Sequence, residues 1–310
     1  MAAGLERNDA DPSSAVRAYY ESNTGLFLAI GIGRRTLAIR RAVWAAGVES
    51  IEDAVNYVNS LVAAEARSCA GAPGQGELQV LDIGCGVGGS LFFIADAMDA
   101  LMRGIGVTIS PRQAGFARRQ ARLRGLSARC SFIAGDFARL TGMPPCHLAF
   151  AIESFVHFTA PAEFFAAAAR AIAPGGRLIV IDDFLARERH SPREDRLVDA
   201  FRQGWLLPSL CTVRHAVLSA AECGVRLVED RDLSAFLSRP SSSPRAEKAA
   251  SSRMEKPAGS LMRRLAVQVM RALPVPWPYW RSTVGSLALS ACRQERLVQY
   301  HLLLFEKNEE

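Results

Sequence analysis

The fold is decided by one stretch of the sequence, residues 80–90, which read VLDIGCGVGGS. A run of β-type residues leads into a glycine-rich turn, and the residues that follow are typical of a helix. Glycines allow the chain to turn tightly and allow the backbone to approach a ligand closely, while the first turn of the helix faces that ligand. The stretch therefore predicts a ligand site at the carboxyl end of a β-strand.

The residues around this stretch predict a mostly parallel sheet, because from residue 78 onward short β-type runs alternate with helical stretches. Strands are expected at 78–84, 104–110, 130–135, 148–153 and 177–183, with two late strands at 224–230 and 297–306. Helices are expected at 90–100, 111–124, 161–172, 194–202 and 213–223, and another follows Ser50, which is placed to cap it. The fold class is therefore α/β.

The chain outside the sheet predicts two helical additions. Residues 1–70 are expected to form an N-terminal lid and residues 71–235 the core. Residues 236–296 form a cap insertion, and residues 297–310 return as the last strand of the core. Within the insertion, residues 238–256 are rich in Ser, Pro, Arg and Lys, which predicts a mobile loop, and residues 261–272 have the pattern of an amphipathic helix.

Composition excludes several classes of protein. Hydrophobic residues make up 49% of the 310, which is enough for a full core. The seven cysteines form no CxxC pair, so we expect neither a metal site nor disulfides. The net charge is +6, but the arginines are spread along the chain, so no nucleic-acid partner is expected. No apolar run approaches the roughly 20 residues that span a bilayer, so we expect a cytoplasmic protein without stable membrane insertion.

The glycine motif alone also fits a dinucleotide dehydrogenase. Three further features favour another cofactor: Asp82 precedes the glycines, Gly135-Asp136-Phe137 follows the third strand, and Pro174-Gly175-Gly176 precedes the fifth. Together they resemble class I methyltransferases, which use S-adenosylmethionine (AdoMet). That resemblance implies a Rossmann-like sheet with its last strand antiparallel, plus the helical lid and cap.

The second strand places the chain nearer to one group of these enzymes. Residues 106–113, GVTISPRQ, resemble the segment found in cyclopropane synthases and in tocopherol, sterol and geranyl diphosphate methyltransferases. In that group a serine and a glutamine replace the usual carboxylate on the ribose, which implies Ser110 and Gln113 here. The cofactor-binding residues implied by all these segments are Asp82, Gly84, Cys85, Gly86, Gly88, Thr108, Ile109, Ser110, Gln113, Gly135, Asp136, Phe137 and Ile152.

The end of the fourth strand carries the candidate catalytic residues. Residues 151–158, AIESFVHF, resemble the region of the same group in which an acidic residue faces the reacting carbon, which implies Glu153 and His157. The opening segment, with Tyr19 and Tyr20, resembles terpenoid C-methyltransferases of the teleocidin pathway and farnesyl diphosphate C-methyltransferases. In those enzymes a tyrosine closes over the substrate, which implies Tyr20 or Tyr19. On residues alone, each of these side chains also fits ordinary core packing.

These resemblances imply C-methylation of an alkene in a prenyl or terpenoid substrate, such as geranyl or farnesyl diphosphate, in bacterial natural-product biosynthesis. Loss of the final proton to His157 or Glu153 would compete with ring closure. Six candidate substrate contacts are Phe155, Trp205, Tyr279, Arg281, Arg34 and Trp44. Mg²⁺ would enter only through a substrate diphosphate, because Asp182-Asp183 has no third carboxylate after it. A homo-oligomer is left open.

Three alternatives remain on the sequence. An O- or N-methyltransferase of a small natural product would use His157 as the base. A cyclopropane synthase of fatty acyl chains would need a basic amphipathic surface, for which residues 261–272 are a candidate. A binding subunit without activity is disfavoured by the intact glycines and Asp136.

Overall fold

The structure is a computed structural model that describes residues 12–29, 36–38, 40–70, 76–98, 102–238 and 277–309. It gives the side chains of these residues except residues 12, 26–29 and 277–282. The predicted loop at 238–256 and the predicted helix at 261–272 therefore lie almost entirely outside the described residues. None of the described helices combines the length and apolarity that crossing a bilayer requires.

Seven strands form a single sheet. In chain order they are β1 (Leu78–Ile83), β2 (Met102–Thr108), β3 (Cys130–Ala134), β4 (Cys146–Ile152), β5 (Ile172–Leu185), β6 (Val225–Asp232) and β7 (Val298–Lys307). Their spatial order is β3-β2-β1-β4-β5-β7-β6; β7 runs antiparallel to β5 and β6, and the other neighbouring strands are parallel. The predicted α/β, Rossmann-like sheet with an antiparallel last strand is confirmed.

Eight α-helices are present in the described residues. They are α1 (Pro12–Ala29), α2 (Ile51–Cys69), α3 (Gly89–Ala97), α4 (Pro111–Leu123), α5 (Pro161–Ala171), α6 (Pro192–Trp205), α7 (Val213–Glu222) and α8 (Trp277–Gln294). Several begin as the sequence predicts: Ser50 accepts a hydrogen bond from the Asp53 amide at the start of α2, and Pro111 and Pro161 occupy first turns.

The core has one hydrophobic layer on each face of the sheet. One layer is rich in phenylalanine, with Phe155, Phe164 and Phe184 fully buried among residues of β4, β5 and α5. The other lies between the sheet and α2 and α3, where Val58, Val62 and their neighbours are buried. The two covered faces fix the strands, so that their carboxyl ends are held in place.

Three elements differ from the sequence prediction. α1 begins at Pro12, whereas the sequence predicted a helical lid over residues 1–70 without bounds for its first helix. α8 was not predicted, although Ala288, Leu289 and Cys292 are buried at helical spacing. β5 begins at Ile172, because Pro174-Gly175-Gly176 is taken into the strand through an irregularity in its pairing with β4, where Gly175 has φ +68°.

Candidate active site

A cavity of about 180 Å³ opens at the carboxyl ends of β1, β2 and β4. α1 covers one side of it, since Ser13, Val16 and Tyr20 line the wall, and α1 contacts α4 and α8. The predicted glycine turn forms another side. Parallel strand ends in such sheets are where ligands bind.

The glycine turn is held by backbone hydrogen bonds, and residue 84 has no room for a side chain. The amides of Gly84 and Cys85 donate to the Val107 carbonyl at 2.9 and 2.8 Å. Gly84 has φ +81°, and a Cβ there would come within 2.3 Å of the Ser154 Cβ. Ser154 itself donates to the Ile83 carbonyl at 2.6 Å. A side chain at residue 84 would therefore disrupt the turn.

Asp82 is the unusual group of this wall. It is 3% exposed, and its Oδ2 has no hydrogen-bond partner. Burial raises the pKa of Asp82 to about 7, and nearby Arg40 opposes that rise. A buried carboxylate oxygen without a partner is costly, so this wall is suited to a cationic ligand group.

Gln113 joins the cavity wall to α1. Its Oε1 accepts from the Thr108 hydroxyl at 2.7 Å, and its Nε2 donates to Thr24 Oγ1 at 2.9 Å. Thr24 in turn donates to the Tyr20 carbonyl at 2.5 Å. The position of Gln113 therefore depends on α1. Gly135, Asp136 and Phe137, which follow β3, also line the cavity.

Glu153 lies where β4 ends and is held in an uncommon backbone conformation, with φ +51°. Its amide donates to the Ile181 carbonyl at 2.8 Å. Its Oε1 accepts from the Arg41 amide and from the Tyr300 hydroxyl, both at 3.0 Å. These bonds hold the carboxylate at the cavity wall.

His157 and Tyr20 form a hydrogen-bonded pair across the cavity. His157 Nδ1 is 2.9 Å from the Leu206 carbonyl, an acceptor, so Nδ1 carries the proton. Nε2 is then free to accept from the Tyr20 hydroxyl, which lies at 2.8 Å. Burial lowers the pKa of His157 and raises the pKa of Tyr20, so both are neutral near pH 7.

A charged network lies behind Glu153. The Arg41 guanidinium bridges Glu153 and Asp183, with its Nη1 at 3.6 Å from Glu153 Oε1. Arg293 Nη2 is 3.8 Å from the other Asp183 oxygen. Burial raises the pKa of Asp183 and of its neighbour Asp182, against the effect of Arg41 on both. The network keeps carboxylates and guanidiniums paired in the interior.

Most of the predicted site residues meet at this cavity. From the predicted sets, Asp82, Gly84, Cys85, Gly86, Thr108, Ile109, Gln113, Gly135, Asp136, Phe137, Ile152, Glu153, His157 and Tyr20 all line it. Gly88 and Ser110 do not. A Cβ at Gly88 would meet the Phe132 ring at 2.8 Å, and Ser110 caps α4 by accepting from the Gln113 amide. Close packing therefore explains the glycine at residue 88, and helix capping explains the serine at residue 110.

The predicted substrate contacts need correction. Phe155 is fully buried and packs on Phe164 and Phe184, facing away from the cavity because the turn after β4 directs it into the core. Trp205 packs against Tyr19, with ring centroids 6.3 Å apart, and neither lines the cavity. Trp44 is buried, and its amide donates to the Phe236 carbonyl. The side chains of Arg34, Tyr279 and Arg281 lie outside those that the structure describes.

Some residues of the site were not singled out from the sequence. Thr24 and Tyr300 come from segments far apart in the chain, and only the fold brings them to Gln113 and Glu153. The Arg41 guanidinium is bound to Glu153 and Asp183.

Residues 80–176 match a protein-family model described as a methyltransferase domain. The chain is 29% identical over 175 residues to 24-methylenesterol C-methyltransferase 2 of Arabidopsis thaliana, covering 54% of this chain and 46% of that protein. It is 31% identical over 140 residues to the chloroplastic tocopherol O-methyltransferase of the same plant, covering 43% and 40%. The chain thus spans less than half the length of these relatives. The predicted resemblance to this group is confirmed.

A solved structure extends the likeness over most of the chain. Geranyl diphosphate C-methyltransferase from Streptomyces coelicolor A3(2), in complex with Mg²⁺, geranyl diphosphate and S-adenosylhomocysteine, superposes with a TM-score of 0.62. The superposition covers 96% of this chain and 99% of that one at 13% sequence identity, so the likeness is one of fold.

Proposed function

We propose that this chain is an AdoMet-dependent methyltransferase that methylates a carbon–carbon double bond in a prenyl or terpenoid substrate. The observation that carries the proposal is the set of residues that line one cavity. Asp82 has a buried oxygen without a hydrogen-bond partner, and Glu153, His157 and Tyr20 line the same cavity. The names of the relatives, a sterol C-methyltransferase and a tocopherol O-methyltransferase, support this class of substrate.

The residues of the cavity fit AdoMet. Asp82 would bind its ammonium group, Gly86 leaves the turn open beside it, and Gln113 would bind a ribose hydroxyl. Phe137 would contact the adenine. When bound, AdoMet supplies a methyl group activated by a sulfonium.

Glu153 would stabilise the positive charge that an alkene acquires when it accepts a methyl group. Its carboxylate is held by the Arg41 amide and the Tyr300 hydroxyl, so it does not need to reorganise when that charge appears. Because the cavity is partly enclosed and its dielectric is low, the attraction is stronger than in water.

Tyr20 and His157 would remove the final proton as a relay. The phenol oxygen accepts a proton from the substrate while the phenol proton passes to His157 Nε2, to which it is already hydrogen-bonded. The Leu206 carbonyl keeps the imidazole oriented through Nδ1. The resulting imidazolium is stabilised by the charge of Glu153. If this transfer is slow, a neighbouring alkene can attack the cation and close a ring.

For the substrate, we propose an isoprenoid with an allylic diphosphate as one candidate, in line with the name of the Streptomyces neighbour. Among the described residues, Arg41 is already bound to carboxylates. A diphosphate would therefore need a cation other than Arg41, such as Arg34 or Arg281, with Mg²⁺ entering only through the diphosphate itself. An uncharged terpenoid would need none of these.

We also propose a domain organisation for the chain. Residues 1–70 act as the lid over the core of residues 71–235, and residues 236–296 act as the cap before the last strand at 297–310. The contacts of α1 with α4, through Gln113 and Thr24, support the assignment of the lid.

A second candidate is O- or N-methylation of a small natural product. The observation that favours it is the neutral His157 with Nε2 directed at a hydroxyl, since a phenolic substrate in place of Tyr20 would find a base there. The two candidates differ in one experiment. His157→Ala lowers the rate of methylation itself in the second case, whereas for an alkene it leaves methylation and changes which product is released.

The proposal is tested by incubating the protein with labelled AdoMet and separate acceptors: geranyl, farnesyl and geranylgeranyl diphosphates, uncharged terpenoid alkenes and phenols. Mass spectrometry identifies the methylated product. We expect a carbon-methylated isoprenoid, and we expect Glu153→Gln to lower its yield at least tenfold. Glu222→Gln, on the exposed side of α7, is the matched control. Transfer to no isoprenoid would refute the proposed substrate class.

A further inference from the structure

The Arg41 guanidinium lies between two carboxylates but is hydrogen-bonded to only one of them. Its Nη2 donates a hydrogen bond to Asp183 Oδ2, whereas its Nη1 lies 3.6 Å from Glu153 Oε1. The second distance is that of an ion pair and exceeds the range of a hydrogen bond. The guanidinium is therefore bonded to Asp183 and only close to Glu153.

The surroundings of Asp183 favour this arrangement. Asp183 is 2% exposed near the end of β5, and the Arg41 Cζ atom lies 5.1 Å from the centroid of the Tyr300 ring. Arg293 Nη2 lies 3.8 Å from the other Asp183 oxygen. Burial raises the pKa of Asp183, and the positive charges of Arg41 and Arg293 act against that rise. Both cations therefore favour the ionised carboxylate that holds the guanidinium.

The hydrogen bonds that orient Glu153 do not come from the guanidinium. Glu153 Oε1 accepts from the backbone amide of Arg41 and from the Tyr300 hydroxyl, both at 3.0 Å. Both donors are neutral groups, so they orient the carboxylate without cancelling its charge. The same carboxylate lies in the wall of the cavity.

A guanidinium bonded directly to Glu153 would have the opposite effect. Guanidinium and carboxylate form strong, charge-assisted pairs, often through two parallel bonds. Such a pair would offset the negative charge that Glu153 would present to a cationic substrate, and in a site of low dielectric this loss is larger than in water. Asp183 competes with Glu153 for the same guanidinium, so its position affects how much of that charge remains.

We propose that Asp183 is a positioning residue that holds the Arg41 guanidinium back from Glu153, so that the Glu153 carboxylate keeps its charge for a substrate cation. The inference rests on the proposed function, because it concerns the role of Glu153 in that reaction. Neither Asp183 nor Arg41 lines the cavity, so Asp183 acts through Arg41 and does not contact the substrate.

The test measures kcat for the methylated isoprenoid at saturating AdoMet and acceptor. Asp183→Asn removes the charge that holds the guanidinium, so Arg41 moves to Glu153 and we expect kcat to fall about tenfold. The double variant Arg41→Gln, Asp183→Asn removes both charges and keeps the backbone amide of residue 41 and the Tyr300 hydroxyl. Its kcat should therefore return to within about threefold of the wild type. In both variants the affinity for S-adenosylhomocysteine should change less than about twofold.

A second measurement and two further variants complete the test. In a crystal structure of Asp183→Asn, an Arg41 nitrogen should lie within about 3.2 Å of a Glu153 carboxylate oxygen. Asp183→Glu keeps the carboxylate and should keep a higher kcat than Asp183→Asn. Asp199→Asn, on the exposed side of α6, is the matched control and should behave as the wild type. If Asp183→Asn does not fold, the double variant still decides, because it removes the buried pair as a whole.

Two kinetic results would overturn the inference. An unchanged kcat in Asp183→Asn would show that Asp183 serves stability alone, and a tenfold loss in the double variant would show that Glu153 needs the Arg41 charge. Both leave the proposed function in place, since the wild-type protein still methylates the isoprenoid. If the wild-type protein methylates no isoprenoid, the proposed function fails. The crystal structure then tests the restraint separately, and an Arg41 that stays away from Glu153 in Asp183→Asn would refute it.

Discussion

The pKa of Asp82 gives a prediction about cofactor binding that can be worked out in numbers. With its pKa at about 7, Asp82 is ionised in about 9% of molecules at pH 6 and in about 91% at pH 8. An ammonium group bound to Asp82 favours the ionised form. The affinity for S-adenosylhomocysteine should therefore rise about tenfold from pH 6 to pH 8. The sign follows from the raised pKa, since the free protein must lose a proton before it binds.

Calorimetry measures the same proton directly. At pH 6, titrations in two buffers of different ionisation enthalpy should show release of about 0.9 proton for each ligand bound. Asp82→Asn should bind more weakly, with an affinity that is flat across this range and without proton release. Burial lowers the pKa of His157, so the comparison with Asp82→Asn, which keeps His157, separates the contributions of the two groups. A pH-independent affinity in the wild type, or the same slope in Asp82→Asn, would refute the reasoning.

The remaining predictions concern α1, the glycine turn and the core. Thr24→Val removes the acceptor of Gln113 Nε2 and should weaken binding of S-adenosylhomocysteine about fivefold, whereas Thr24→Ser should not; equal affinities in titration would refute the link. Gly88→Ala should lower stability in urea unfolding by roughly 2–4 kcal/mol, because φ is +89° and a ring fills the space, whereas Gly142→Ala, at φ +73° in open space, should cost about 1 kcal/mol. Phe155→Leu should lower the free energy of unfolding by roughly 1–3 kcal/mol, while the variant forms the same methylated products as the wild type. A changed product distribution in mass spectrometry would show that Phe155 contacts the substrate.

The site residues that could be predicted from the sequence lie within a few positions of a strand end, where the local backbone conformation determines their place. The glycine turn, Asp82 and the end of β4 could be found because strand, turn and helix follow one another within a few residues. Gln113 was found for the same reason, since it stands in the first turn of α4 after β2. Apart from Gly88, these positions line the cavity.

The sequence did not predict the role of a side chain where that role depends on the direction in which it points, or on partners from distant parts of the chain. Nothing local distinguishes Phe155, which points into the core, from His157 two residues later, which points into the cavity. Trp205 was expected at the substrate, yet it packs against Gly285 of a helix that was not predicted. The adjacent Arg40 and Arg41 could not be told apart, because their partners come from α2, α3, β4 and β5.

The central claim is that the cavity holds the amino-acid end of AdoMet at Asp82 and directs its methyl group toward Glu153 and His157. A crystal structure of the protein with S-adenosylhomocysteine tests this most directly. We predict the ammonium group within hydrogen-bond distance of Asp82 Oδ2 and the sulfur facing Glu153 and His157. A ligand whose amino-acid end lies away from Asp82, or whose sulfur faces away from both residues, would contradict the account.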